Sequence, residues 1–211
     1  MVCRRAVGLL VALLFIPASS GAAPSARAEL ERFVERAKEV LGNATDVERT
    51  RGEFRVLTHE LFDGRAAARH ALGAEWDKRT PAAREEFARS FSDLLERAYL
   101  EIVQGQLPRD RVPEVLVVGE QPIGKRGAVV STRVRARDGR DVRMDYAMAP
   151  AGRRWRVHDV AIEGVSLVEN YRAQFARVLR DGSYPALLDR VQAAAGPARP
   201  VLAEVSVPPG L

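Results

Sequence analysis

Four short arrangements in this chain contain residue types that could do chemistry. Gly119-Glu120-Gln121-Pro122-Ile123-Gly124-Lys125 has the spacing of a phosphate-binding loop and follows a run of valines. Arg126, however, stands where a magnesium-binding hydroxyl belongs, and Pro122 removes a backbone donor. The residues that follow alternate as a strand, so no helix N-terminus faces a phosphate and a hairpin loop is the better reading. His59-Glu60 opens like a zinc-protease motif, but Asp63 occupies the place of the second histidine, which leaves His59 as a helix-surface residue. Gly164-Val165-Ser166 is half of a nucleophile elbow without its closing glycine, and Ser166 suits a helix N-cap. The sharpest acid–base candidate is Asp145 with His158, placed opposite each other by the expected strand register. Both fall on an arginine-bearing face, where a solvated cross-strand pair is expected and no cleft excludes water. No catalytic residue, metal ligand set or cofactor is therefore expected.

The elements that would carry these residues divide the chain in two. Leu30, Phe33, Val34, Ala37, Val40 and Leu41 recur at spacings of three and four, which predicts a helix over 28–41 ended by Gly42-Asn43. A second helical stretch covers 46–57. Asp63 is placed to cap a short helix ending at Leu72-Gly73, with Trp76 in the next turn. Thr80-Pro81 opens the longest helix, whose apolar stripe is Phe87, Phe91, Leu94, Leu95, Ala98, Ile102 and Val103, with Tyr99 at its edge.

Beyond Pro108 the period changes to two. Strands are predicted at 115–118, around Val130, Thr132, Val134 and Ala136, around Val142, Met144, Tyr146 and Met148, and from Trp155 to Ile162. A loop at Asp138-Gly139-Arg140 would set Val134 opposite Met144, and a turn on Ala151-Gly152 would set Tyr146 opposite Val157. The apolar phase slips between Val157 and Val160, so a bulge is expected at His158 or Asp159. Helical spacing returns at Leu167, Val168, Tyr171, Phe175, Val178 and Leu179, and a last helix covers 184–195. The reading is a single α+β domain over 23–195, with helices wrapped around one face of a curved antiparallel sheet of about four strands. Proline and small residues over 196–211 suggest a loose tail.

Arg4 and Arg5, an apolar run from Ala6 to Ile16 and small residues up to Ala23 have the layout of a cleaved export signal, expected over 1–22, with Ala26-Arg27-Ala28 as a second candidate cleavage site. The run is shorter than the ~20 residues a bilayer span needs. The single cysteine, Cys3, falls inside that segment, so an exported chain would rely on a hydrophobic core rather than disulfides. The formal charge is +5 from 33 basic and 28 acidic residues; losing Arg4 and Arg5 leaves 31 against 28, or +3. Arginines spread over helices and strands are not the dense patch of a nucleic-acid binder.

Phe62-Asp63, Leu72-Gly73, Trp76, Thr80-Pro81, Arg84, Phe87 and Tyr99, followed by Trp155, Asp159-Val160, Glu163-Gly164-Val165-Ser166-Leu167, Tyr171-Arg172 and Phe175, occur in an order and spacing that resemble the MlaC family. The resemblance implies a nuclear-transport-factor-like fold with an apolar pocket between its layers. It also implies a periplasmic, monomeric, non-enzymatic carrier of glycerophospholipid that passes between an outer-membrane lipoprotein complex and an inner-membrane ABC transporter complex to maintain outer-membrane lipid asymmetry. A carrier of hopanoid or another apolar lipid is the alternative, and an enzyme of the same fold acting on a hydrophobic small molecule is a more distant one. The inward positions expected to meet lipid are Trp76, Phe91, Leu95, Tyr99, Val134, Met144, Tyr146, Met148, Val165, Tyr171 and Phe175. Two acyl tails would need a cavity toward the upper end of the roughly 300–1,000 Å³ usual for ligand sites.

Overall fold

The computed structural model describes residues 24–43, 46–106, 114–136 and 138–196. The expected export segment over 1–22 lies outside the described residues, as does the expected tail beyond Gly196.

Each helix except the single turn at Ala74–Asp77, which follows Gly73, begins where the sequence offers a side-chain acceptor to its free N–H groups. Ser25 accepts from the Ala28 N–H at the start of α1 (Ala26–Gly42), and Asp46 accepts from Arg49 at the start of α2 (Val47–Leu61). Asp63 accepts from Ala66 to start α3 (Gly64–Leu72), which ends at Gly73. Trp76 lies in the single turn α4 (Ala74–Asp77). Thr80 accepts from Ala83 at the head of α5 (Pro81–Gln106), a helix about 39 Å long at 1.5 Å per residue. α2 extends four residues past its expected end, which carries it to the Phe62-Asp63 corner.

The sheet is open and antiparallel, with its strands in the order β1 (Val115–Ile123), β2 (Gly127–Arg135), β3 (Asp141–Ala151), β4 (Arg154–Ile162) and the short β5 (Val165–Ser166). The fifth strand was not anticipated. Residues Gly119 to Ile123, part of the apparent phosphate loop, instead continue β1, so only Gly124 to Arg126 turn. Ser166 caps α6 (Leu167–Asp181) by accepting from Glu169, as expected, and Ser183 caps α7 (Tyr184–Ala195).

Both hairpin registers differ from expectation by two residues. Val134 faces Val142 and Met144 faces Thr132, because the Asp138 carboxylate captures the Arg140 N–H at 3.0 Å and the chain closes one pair earlier, between Ala136 and Arg140. Met148 faces Val157, because Gly152, at φ 64°, opens a two-residue turn between Ala151 and Arg154; past the bulge the offset grows by one more, and Tyr146 faces Val160. A shift of two conserves which face each side chain takes, so the apolar face survives both corrections. The bulge falls where the phase slip placed it: Ala147 pairs with Asp159 and Met148 with Val157, leaving His158 unpaired. A second break in register, at Val118, had no counterpart in the sequence reading.

The buried side chains form two cores. In the first, α1 and α2 lie on the apolar sheet face and bring Leu30, Phe33, Val34, Leu57 and Leu61 against Val130, Val134, Met144, Tyr146, Met148, Val157 and Val160. The second is built by helices alone, around Trp76, Phe87, Phe91, Leu94, Tyr171, Phe175, Leu187 and Val191. Its rings meet one another closely, with Phe91 5.4 Å from Phe175 and 5.5 Å from Tyr171 between centroids. Gly64 lets α3 approach α5: a Cβ there would overlap the Ser92 hydroxyl and lie 2.8 Å from Ser92 Cβ.

Candidate functional site

A cavity opens where the two cores meet. Leu95 of α5 touches both, and one turn later Tyr99 belongs to the sheet-side core, so the long helix crosses the seam. Ala67 and Val168 from the helical core and Tyr99, Val157, Val160 and Leu167 from the sheet-side core supply the buried, apolar part of the wall. The less buried part is polar, with His59, Asp63, Glu96, His158 and Asp159.

Backbone and side-chain bonds hold one rim in place. The Asp63 N–H donates to the Val157 carbonyl at 2.7 Å, and Phe62 bridges to Val157 in parallel. Arg156 Nη2 donates to the carbonyls of His59 at 2.6 Å and Phe62 at 2.8 Å, which fastens the last turn of α2 to β4. These carbonyls end a helix, where a cation is favoured.

All three carboxylates on the rim are engaged. Asp63 caps α3; Asp159 accepts from Ser166 Oγ at 2.5 Å and the Val168 N–H at 3.1 Å; Glu96 meets Arg55 Nε at 3.0 Å, with His59 Nε2 3.5 Å away. His158 is half-buried on the same rim. Burial holds its imidazole below the ordinary histidine range, opposed by the charge of Asp159; nearby His70 lowers it further and Asp63 opposes that.

The acid–base pair does not form. Asp145 pairs with Ala161 across the strands, accepts from Ser131 Oγ at 2.5 Å and meets Arg143 at 3.0 Å, while the bulge turns His158 to the cavity instead of the solvated face. His59 is exposed, as the sequence implied, but it also stands on the rim.

Among the eleven positions expected to meet lipid, Leu95 and Tyr99 line this cavity. Val134, Met144, Tyr146 and Met148 lie in the sheet-side core, and the Tyr146 hydroxyl is 3.3 Å from that of Tyr99. Trp76, Phe91, Tyr171 and Phe175 lie in the helical core; Trp76 is flanked by the Arg65 and Arg84 guanidiniums at 5.5 and 5.8 Å. Val165 is on the short edge strand and 47% exposed, because the β4–β5 turn at Glu163-Gly164 directs it outward. Phe62, Ala67, Val157, Val160 and Leu167 were not singled out for the pocket, although the bulge expected at His158 marks the place where β4 bends toward it. The cavity measures about 70 Å³, far below the volume expected for two acyl tails. Admitting them requires the layers to separate along the seam.

Fold and cavity define an α+β protein in which helices cover one face of an open sheet and an apolar seam runs between the layers. The family model for MlaC protein matches residues 30–193, and the chain belongs to the MlaC family. A solved structure, the phospholipid-binding protein from Ralstonia solanacearum in complex with a phospholipid, has a similar fold, with a TM-score of 0.67 at 21% identity over 82% of this chain and 97% of that one. No curated protein matches the chain.

Proposed function

We propose that this chain is a periplasmic, monomeric phospholipid carrier, exported through a signal over 1–22, that takes up lipid tails along the seam between its two cores. It would move lipid between an outer-membrane lipoprotein complex and an inner-membrane ABC transporter complex and so maintain outer-membrane lipid asymmetry, without catalysing a reaction. The observation that carries this reading is the seam cavity itself, with Leu95, Tyr99, Val157 and Val160 inside and a polar rim outside, in a member of the MlaC family. The phospholipid bound to the Ralstonia protein supports the same cargo.

Two tails of roughly 30 methylenes in all, at about 0.8 kcal/mol each, represent a gross transfer term above 20 kcal/mol before ordering costs. Spontaneous release against that term is slow, so docking partners must open the seam or draw out the tails. On this reading lipid meets Leu95 and Tyr99 first, then Met144, Tyr146 and Met148 behind them. The two methionines suit tails of varied shape because their side chains are flexible.

Native mass spectrometry of the chain purified from periplasm tests the proposal. One phospholipid per chain is expected, and Leu95→Trp, which fills the seam, should remove most of it while the chain stays folded. A wild-type chain without lipid, or full occupancy in the folded variant, would contradict it.

A further inference from the structure

Tyr99 lines the cavity, and directly behind it, in the sheet-side core, its hydroxyl meets that of Tyr146. Tyr99 reaches from α5 and Tyr146 from β3; they are 8% and 3% exposed, and their oxygens lie 3.3 Å apart. Tyr146 Oη is also 3.8 Å from Met144 Sδ and interacts with the Thr132 hydroxyl, which lies 3.3 Å from the Met144 carbonyl. Burial pushes both phenols up, Tyr146 well above its ordinary range, so both keep their protons.

Two protons and this set of acceptors allow two arrangements. In one, Tyr99 donates to Tyr146, and Tyr146 donates to the thioether of Met144, a weak acceptor, or to the Thr132 hydroxyl. In the other, Tyr146 donates to Tyr99, and the Tyr99 proton is free to turn into the cavity that its side chain lines. Passing from the first to the second gives up the Tyr146 proton's contact with Met144 or Thr132 and makes a donor available to whatever occupies the seam. Only an occupant with an acceptor oxygen gains by it; a hydrocarbon would leave a buried hydroxyl unsatisfied.

We propose that the Tyr99–Tyr146 hydroxyl pair is a specificity device that donates, through Tyr99, to an ester carbonyl of the cargo, so that the chain selects acyl esters over ether-linked lipids of equal apolar area. This rests on the carrier reading above. The carbonyl lies where the tails join glycerol, the one place where a strong acceptor abuts two long apolar chains.

The test is a competition on the delipidated mature chain between a diester and a diether phosphatidylcholine of the same chain length. Wild type should favour the ester about five- to tenfold, the worth of one net hydrogen bond. Tyr99→Phe keeps the ring against Phe62, 5.8 Å away between centroids, and should bring the ratio to about one. Tyr146→Phe removes the acceptor that otherwise takes the Tyr99 proton, so the ester preference should persist or rise, and its loss in that variant would overturn the device even if Tyr99→Phe folds poorly. Equal binding of the two lipids by wild type, or an unchanged preference in Tyr99→Phe, would overturn the device while leaving the carrier intact. Failure of wild type to bind either lipid would overturn the carrier and the device together.

Discussion

The helical core and the sheet-side core bury similar side chains in different ways. In the first, Phe87, Phe91, Tyr171 and Phe175 each touch at least two other rings at centroid distances of 5.4 to 5.8 Å, and α3, α5, α6 and α7 close around them. In the second, the described ring contacts are isolated pairs, Phe33 with Phe54 at 6.3 Å and Phe62 with Tyr99 at 5.8 Å, and most of the rest is aliphatic side chains and methionine, with Tyr146 among them, beneath α1 and α2. An interlocked aromatic cluster loses many contacts when any member moves, whereas methionines and single pairs can be rearranged. A carrier needs both: a fixed frame that holds one wall of the seam and a layer that can lift from it. The polar Tyr99–Tyr146 contact lies on the side proposed to rearrange.

The largest expected effect tests the fixed side. Phe91→Ala should cost about 3–5 kcal/mol in urea unfolding, while Phe54→Ala, half-buried in the other layer, should cost about 1–2 kcal/mol. The reverse order would break the comparison. A smaller effect is expected where α3 meets α5. Gly64→Ala forces a methyl onto Ser92 and should cost about 1–3 kcal/mol, much of it recovered in Gly64→Ala with Ser92→Gly. Additive losses in that double variant would mean the contact at Gly64 is not what sets the helix spacing.

The smallest effect sharpens the account of the rim. His158 has a folded-state pKa below its unfolded value near 6.5, so the unfolded chain binds more protons between the two. Stability should therefore fall as pH drops below about 6.5 and level off once the folded imidazole is also charged. Thermal melts of His158→Gln should lack this part of the acid loss; a variant that follows wild type through the whole range would show that His158 is not strained by burial.

Caps, periods and the bulge could be read from single residues because each rests on local chemistry: Asp63, Thr80 and Ser166 satisfy N–H groups three residues away, and the slip from Val157 to Val160 has only one cause. Register could not, since a shift of two preserves every face and depends on how Asp138 folds back onto Arg140. The division into two cores could not either. Phe91, Leu95 and Tyr99 form one stripe, about 12 Å long, that periodicity assigns to a single inward face. In the folded chain that stripe starts in one core, crosses the seam and ends in the other, because α3 and α7 pack along α5, Tyr171 and Phe175 of α6 meet Phe91, and Tyr146 of β3 meets Tyr99. Membership of a core is set by what packs from elsewhere, and spacing along one helix carries no record of it.

Hydrogen exchange read by mass spectrometry, with and without dioleoyl phosphatidylcholine, tests most directly the claim that one core is a frame and the other a lifting layer. Amides of α2 should exchange well before those of α6 and the first half of α5, and lipid should slow α2 and β4 while leaving α6 nearly unchanged. Equal protection of the two layers without lipid, or a lipid effect centred on α6 and α7, would contradict it.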